Sequence, residues 1–188
     1  MNPIELNALI KNRRAVFPMA YNEKEIPKGI IEQIVENAHW APTHKRTEPW
    51  RLKILRGPAR QKLADFMVED YKKNTPVEAQ SDIKLKKQAE NPLRSNCVIA
   101  ICMKRSESLP EWEEVAAVAM AVQNMWLSCA AYGIGAYWSS PGAIGRMNDF
   151  LNLDTDEKCL GLFYMGYSDL ALVEGRRTSL DDKVVWIE

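Results

Sequence analysis

The 188-residue sequence lacks the charge excess of a nucleic-acid-binding protein and the long apolar run of a membrane protein. Its 25 Lys and Arg residues balance 25 Asp and Glu residues, so nothing global indicates nucleic acid or an acidic membrane surface as a partner. The stretch from Val115 to Gly145 is uncharged, but polar residues and glycines interrupt it, and three glutamates precede it where Lys or Arg would be expected. We therefore expect neither a nucleic acid partner nor a transmembrane span.

Motifs for metal binding and for disulfides are also missing. The four cysteines include no Cys-x-x-Cys pair, and His39 and His44 do not stand at zinc-site spacing from them, so we expect no metal. Cys97 and Cys102 lie in an apolar run, which indicates buried thiols and a reducing compartment. The N-terminal residues MNPIELNALIKNRR are too polar for a signal peptide, and we expect a cytoplasmic protein.

Sequence signals for catalysis by a protein nucleophile are absent as well. Neither paired carboxylates nor a Ser-His-Asp arrangement is evident, and a lone loop histidine such as His44 is more often a hydrogen-bonding group than a general base. Gly133 and Gly135 do not form a dinucleotide fingerprint, because the third glycine is missing and the segment runs from helix to strand. We therefore assign no catalytic side chain from the sequence.

The chain has the length of one domain, residues 1–188, and its periodicity predicts a mixture of helices and strands. Helices are predicted at residues 4–12, 27–39, 58–73 and 143–151. The polar segment 74–91 is expected to be partly helical and mobile. Strands are predicted at residues 50–55, 97–103, 134–140 and 160–166, and the tail VVWIE is β-prone. This mixture indicates an α/β or α+β fold.

A long helix is predicted from about Pro110 to Tyr132, with three glutamates in its first turn and Gly133 after its end. Beyond the first turn it is apolar nearly all round, and a helix of this kind is buried on most faces. Two arrangements would bury it, namely a central position in a monomer or the interface of a homodimer. We favour the homodimer, because a chain of this size covers such a helix with difficulty on its own.

Two arginine pairs and one loop could carry binding chemistry. Arg13 and Arg14 follow the first predicted helix, and Arg176 and Arg177 lie in a polar stretch near the C-terminus. A guanidinium matches phosphate oxygens through two parallel hydrogen bonds, although solvated surface arginines would give the same pattern. The loop WAPTHKRTEPW, residues 40–50, contains two prolines that oppose regular structure and a dense set of polar groups.

Four landmarks occur in a fixed order along nearly all of the chain. They are the arginine pair in Lys11-Asn12-Arg13-Arg14-Ala15, the loop with Ala41-Pro42 and Pro49-Trp50, the segment Tyr132-Gly133-Ile134-Gly135-Ala136-Tyr137-Trp138, and the C-terminal Arg177-Thr178-Ser179-Leu180-Asp181-Asp182. In these landmarks the chain resembles the FMN-dependent nitroreductase family, and its Thr43-His44-Lys45 loop is similar to that of a small, minimal subgroup. The resemblance implies an α+β nitroreductase-like fold, with a central, mostly antiparallel sheet flanked by helices and a long helix that forms the dimer.

The resemblance also implies a cofactor and its site. FMN would lie in a cleft between two subunits of a homodimer and carry electrons from NAD(P)H to a small-molecule acceptor such as a nitroaromatic or a quinone. The phosphate or the polar edge of the flavin would be held by arginines, with a backbone group beside them: Arg13, Arg14, Arg176, Arg177 and Ala15. His44, contributed by the other subunit, would face the flavin. The edge of the ring would be followed by Trp138, Ser139 and Ser140.

Two other functions stay open at this point, and three positions depart from the family pattern. The chain could be a flavin-binding carrier or redox sensor with little turnover, or a relative that consumes the flavin or removes a halogen. Ala15 replaces a frequent serine, and Arg46 and Glu48 stand where many members have Asn and Gln. The preferred acceptor is therefore not predicted, and the sequence does not distinguish NADH from NADPH.

Overall fold

Four antiparallel strands form the centre of the protein in a computed structural model, which describes residues 2–171 and 173–188. In chain order the strands are β1 (Trp50–Leu55), β2 (Cys97–Lys104), β3 (Ile134–Ser139) and β4 (Glu157–Tyr167). Their order across the sheet is β1-β2-β4-β3, and each neighbouring pair runs antiparallel. This sheet, with its helices segregated from it, confirms the predicted α+β class.

Helices cover the sheet and connect its strands. Within the described residues the α-helices are α1 (Pro3–Asn12), α2 (Lys28–His39), α3 (Pro58–Asn74), α4 (Asp82–Arg94), α5 (Glu111–Ala131) and α6 (Asn148–Leu151). Short 3-10 turns occur at Pro18–Ala20, His44–Arg46, Val77–Ala79 and Ile144–Arg146. None of the helices in the described part of the chain combines the length and the apolar character needed to cross a bilayer.

The most apolar segments, β2 and α5, lie at the centre of the fold. β2 is buried along its whole length except at Lys104, as expected for a strand that is covered on both faces. The buried side chains of α5 recur every three or four residues, so one face of the helix packs on the protein core: Glu114, Ala117, Val118, Ala121, Val122, Met125 and Cys129. Gly133 follows the end of this helix, as predicted, and its φ of 67° is the left-handed conformation typical of that position.

The core divides into two clusters on the two faces of the sheet. Helices α2 and α5 bury one face of the sheet. The core cluster on this face includes side chains from both helices and from the strands: Ile31, Ile34, Val118, Val122, Met125, Ile99, Ile101 and Phe163. Helices α3 and α6 bury the other face, with Leu63, Met67, Val98, Ala100, Leu151, Leu162 and Tyr164. Cys97 and Cys102 are both fully buried, one on each face, which confirms the interpretation of the two thiols as core residues.

Three predicted segments differ from the observed ones. The helix at residues 4–12 forms as α1, but all of its residues except Leu9 are exposed, so this chain covers its apolar side chains only in part. The helix expected at 143–151 is divided into a 3-10 turn and the short α6. The β-prone tail forms no strand: residues 184–188 are exposed and lie outside regular structure, because they do not pair with a strand of this chain.

Candidate functional site

The arginine pair lies where α1 ends and the chain joins the sheet. Arg13 caps the C-terminus of α1 with an extended backbone, which turns the chain away from the helix. Ala15 then forms an isolated parallel bridge with Ala136 of β3, and the Val16 amide donates a hydrogen bond of 3.0 Å to the Ala136 carbonyl. The two arginines are thus held by backbone contacts next to the central sheet.

A tryptophan of α5 positions the first arginine. The guanidinium of Arg13 lies over the ring of Trp126, 4.5 Å from its centroid, a distance typical of a cation–π contact. The indole Nε1 of Trp126 donates a 3.3 Å hydrogen bond to the Arg14 carbonyl. The sequence does not indicate this role of Trp126, because a tryptophan in an apolar helix is typical of a core residue and nothing local connects it to an arginine more than 100 residues away.

The second arginine joins α1 to the C-terminal segment. Arg14 donates from Nε to the Val173 carbonyl at 2.9 Å, and from Nη1 to the carbonyls of Lys11 and Arg13 at 2.5 and 2.8 Å. Gly175 lies so close to the guanidinium that a Cβ atom at this position would collide with it. These contacts bring the segment that carries Arg177 onto the end of α1.

Arg13, Arg14 and Arg177 line one cavity of about 530 Å³, which we call the arginine cavity. Its other lining residues are Ile10, Lys11, Asn12, Gln123, Glu174 and Gly175. Burial lowers the pKa of the Arg13 guanidinium, and repulsion from Arg177 and then from Arg14 lowers it further. The cavity is therefore a place where positive charges repel one another, and an anion would relieve that repulsion.

The donors of the arginine cavity fit a phosphate group. The Arg13 side chain makes no hydrogen bond to any described residue, and Arg177 donates only from Nη1 to the carbonyl of Arg176 at 2.7 Å within the same part of the chain. Several N–H groups on planar guanidinium groups thus remain for a ligand, and phosphate oxygens accept from such groups in pairs. Two smaller cavities adjoin this one through Arg14, with volumes of about 320 and 410 Å³.

The structure does not bring every predicted site residue into this region. Arg176 is exposed and does not line the arginine cavity, although its neighbour in the chain does. Trp138 and Ser139 are half-buried on β3, and Ser140 is exposed directly after the strand. Ser139 lies three residues beyond Ala136, roughly 10 Å along the strand from the point where the arginine pair is anchored.

A close backbone approach holds Trp138 in place. Its indole Nε1 lies against Gly161 of β4, where a Cβ atom would collide with the ring. The adjacent ladder is irregular, since β2 and β4 change register between Ile101 and Cys102. Only glycine leaves room for the indole at this point, and the end of β3 is positioned accordingly.

The predicted loop residue His44 lies in a strained backbone segment. Lys45, Arg46 and Glu48 have φ values of 49°, 55° and 43°, a region that few residues other than glycine adopt. Each such residue costs about 1–3 kcal/mol and persists only where its surroundings hold it. Here the Thr43 and Thr47 hydroxyls are 3.1 Å apart, and the Glu48 amide donates to the Thr43 hydroxyl at 3.2 Å.

His44 contacts the N-terminal end of α5, far from the arginine cavity of the same chain. Its Nδ1 is 2.6 Å from Oε2 of Glu113, and its side chain is 58% exposed. Glu113 and Trp126 are separated along α5 by a distance of roughly 20 Å, given 1.5 Å per residue. Within one chain, therefore, the loop histidine and the arginines belong to two separate surfaces.

The profile of the Nitroreductase family matches residues 10–167 of the chain. Among similar sequences is the Escherichia coli (strain K12) protein YdjA, whose name places it among NAD(P)H nitroreductases. It is 27% identical over 169 residues, which cover 86% of this chain and 87% of YdjA. The nitrobenzene nitroreductase of Ectopseudomonas oleovorans is 22% identical over an alignment that covers 91% of this chain and 90% of that protein.

Solved structures with a fold similar to that of this chain also include nitroreductases and nitroreductase-like proteins. The nitroreductase-like family protein from Bacillus cereus superimposes with a TM-score of 0.81 at 25% identity, over 97% of this chain and 96% of that one. The FMN-dependent nitroreductase NfnB from Mycobacterium smegmatis, solved in complex with NADPH, has a TM-score of 0.79 at 18% identity, over 97% and 98% of the two chains. At the latter identity the likeness concerns the fold.

Proposed function

Because the chain belongs to the nitroreductase family, we propose that it is an FMN-dependent oxidoreductase that uses NAD(P)H to reduce nitroaromatics, quinones or similar small acceptors. The observation that carries this proposal is the arginine cavity, in which three guanidinium groups converge without a matching set of acids. Relatives described as FMN-dependent and as NADPH complexes support the identity of the cofactor and of the electron donor. The acceptor class rests on relatives that are named for nitroaromatic reduction.

In this proposal the arginine cavity holds the FMN phosphate. Arg13, Arg14 and Arg177 supply the donors, and the Arg13 guanidinium is held over the ring of Trp126. Placing a phosphate there desolvates up to two negative charges, which requires charged partners. Lys11 adds a fourth positive charge at the rim, while Glu174 limits the net positive potential.

When bound, FMN supplies two-electron redox chemistry, which takes a hydride from NAD(P)H and passes the electrons to a second substrate. The residues of this chain would bind FMN, orient it and neutralise the charge of its phosphate. The end of β3, with Ser139 and Ser140, would offer backbone groups to the polar edge of the ring. No protein nucleophile is needed, in keeping with the lack of any nucleophilic motif in the sequence.

We further propose that the active protein is a homodimer in which each site draws on both chains. Outside its core-facing residues α5 keeps Trp112 and Met120 exposed, and Ala116 and Leu127 are only half-buried. α1 and the tail add further exposed apolar residues, among them Ile4, Val185, Trp186 and Ile187. A two-fold partner would cover these surfaces, and the His44 loop of one chain would meet the arginine cavity of the other.

The sharpest test compares two neighbouring arginines. Arg177 lines the arginine cavity and Arg176 does not, so the pair of variants Arg177→Ala and Arg176→Ala removes the same charge from adjacent positions. We expect Arg177→Ala to weaken FMN binding about tenfold to 150-fold, the usual effect of losing a hydrogen bond to a charged group. Arg176→Ala should bind FMN almost as the wild type does.

Both affinities are measured by fluorescence quenching on apo-protein, with FMN and with riboflavin, which has no phosphate. Riboflavin binding should change little in either variant if Arg177 contacts the phosphate. Equal losses for Arg176→Ala and Arg177→Ala would indicate a general charge effect and would contradict the proposed site. Anaerobic addition of NADPH to the FMN-loaded wild type should bleach the flavin quickly, whereas a carrier protein would stay yellow.

A further inference from the structure

The first turn of α5 carries three glutamates, and each has a different partner. Glu111 pairs with Lys158 of β4. Glu114 is buried, and it accepts hydrogen bonds from the Arg105 guanidinium and, at 3.0 Å, from the Ser106 amide. These two acids tie the start of the helix to its own chain. Glu113 instead accepts from His44, which lies on a surface loop and has no comparable structural task.

The contact with Glu113 shows which nitrogen of the His44 ring donates a hydrogen bond. A carboxylate can only accept hydrogen bonds, so the proton of the 2.6 Å contact is on Nδ1 of His44. Such a contact fixes the orientation of the ring. Nε2 makes no hydrogen bond to any residue that the structure describes, and with a side chain that is 58% exposed it is open to a ligand.

The loop is built to hold His44 in this position. The residues after it adopt left-handed backbone conformations, and the hydroxyls of Thr43 and Thr47 close the turn. Strained segments of this kind are concentrated at functional sites, where the strain fixes a group in place. The His44–Arg46 turn packs against α5, and Glu113 of that helix is the charged group that contacts the His44 ring.

We propose that His44 donates a proton from Nε2 to the electron acceptor, and that Glu113 is the positioning residue that prepares it. The proposal rests on the function proposed above, since it concerns the second substrate of that reaction. A nitro group takes up the hydride that NAD(P)H delivers and one further proton, and it leaves as a nitroso group and water. In the proton transfer the N–H bond of Nε2 breaks, an O–H bond forms on the nitro oxygen, and solvent water returns the proton to Nε2.

The hydrogen bond can be examined without the cofactor. The chain has only two histidines, so the ring signals of His44 and His39 are readily distinguished by nitrogen-detected NMR of the apo-protein. Wild type should show a His44 Nδ1–H signal that exchanges slowly with water. Glu113→Ala should lose this signal and keep those of His39. The matched control is Glu111→Ala, which removes an acid from the same helical turn and should leave both histidines unchanged.

The proton transfer is tested by measuring the two half-reactions separately in a stopped-flow instrument. Reduction of the loaded protein by NADPH should proceed equally in wild type and in Glu111→Ala, and the rate of reoxidation of each variant is compared with its own rate of reduction. Reoxidation by a nitroaromatic should slow about 100-fold in His44→Ala, as is usual when a general acid is lost. In Glu113→Ala it should slow about tenfold, the effect of one hydrogen bond to a charged group. Free imidazole should restore part of the rate to His44→Ala.

The outcomes separate this inference from the proposed function. If Glu113→Ala reoxidises as fast as Glu111→Ala, or if His44→Ala is as fast as wild type, the proton-donor assignment is wrong while the enzyme assignment stands. A Nδ1–H signal that survives in Glu113→Ala would also overturn it. If the wild type is not reduced by NAD(P)H at all, the proposed function fails and the inference fails with it.

Discussion

The two ends of α5 differ in the charge of the side chains around them. At the N-terminal end, three acids of one turn bind Lys158, Arg105 and His44. At the C-terminal end, Trp126 supports a guanidinium and the surroundings are basic. The acids complement the positive end of the helix dipole, while the basic groups lie towards its negative end. One helix thus holds a potential proton donor and a potential phosphate site roughly 20 Å apart.

In the proposed function, neither end of α5 is a complete site by itself. The proposed phosphate site lies roughly 20 Å along α5 from the His44 contact of the same chain. A second copy related by a two-fold axis through the uncovered face of α5 would bring the unlike ends of two helices together.

Complementation between defective subunits should restore activity from almost nothing. His44→Ala carries an intact arginine cavity, and Arg177→Ala carries an intact His44 loop. If each site takes one end from each chain, a mixed dimer contains one intact site and one site with both defects. The mixed dimer, isolated with two affinity tags, should show about half of the wild-type activity per dimer. Either parent dimer should show less than about a tenth of that activity at limiting FMN.

A site that lies within one chain would behave differently. Each site of the mixed dimer would then carry one defect, and the mixed dimer would be no more active than the average of its two parents. The same preparation reports the assembly itself, because light scattering should give about twice the chain mass of 21.4 kDa. A monomer with full FMN affinity would contradict the shared site directly.

The second prediction concerns the buried ion pair at the acidic end. Glu114 is 1% exposed and depends on Arg105 for its charge compensation, so Arg105→Met leaves a carboxylate buried without a cation. We expect a loss of about 3–5 kcal/mol in the free energy of unfolding, the usual cost of breaking a buried pair. Urea denaturation of the apo-protein measures it.

Lys158→Met is the matched control for this prediction. It makes the same kind of substitution at the partner of Glu111, in the same helical turn, but this ion pair is exposed to solvent. Its denaturation midpoint should hardly change, because exposed ion pairs contribute little. Equal destabilisation by the two variants would show that the anchor of α5 does not depend on the burial of Glu114.

The sequence predicts what depends on local pattern and misses what depends on distant contacts. The apolar run of β2 and the boundaries of α5 follow from composition, a proline and a glycine, and both were predicted. α1 was also predicted, yet its amphipathic pattern says nothing about whether its apolar side finds a partner within the chain. The tail VVWIE has the composition of a strand, but strand formation needs a partner strand, and the tail pairs with neither β1 nor β3, the outer strands of the sheet.

The candidate site shows the same limit more sharply. The arginine pairs were selected from the sequence through their chemistry and a family resemblance, but Trp126 and Glu113 were not. Trp126 meets Arg14 across 112 residues of chain, and Glu113 meets His44 across 69, so no spacing rule connects them. The left-handed residues after His44 are equally hidden, since Lys, Arg and Glu carry no preference for that backbone conformation.

The smallest effect is expected at the basic end, from Gly175→Ala. The new methyl group would meet the guanidinium of Arg14, which is the mobile end of a long side chain, so Arg14 shifts and the fold is retained. The shift breaks the 2.9 Å hydrogen bond from Arg14 Nε to the Val173 carbonyl and moves the guanidinium relative to the arginine cavity. FMN affinity should fall about two- to tenfold, the range for one ordinary hydrogen bond.

Gly145→Ala, where an added methyl group meets nothing within 4 Å, is the control and should bind FMN as the wild type does. If Gly175→Ala also leaves the affinity unchanged, Arg14 serves to attach the C-terminal segment, and the phosphate contacts belong to Arg13 and Arg177 alone.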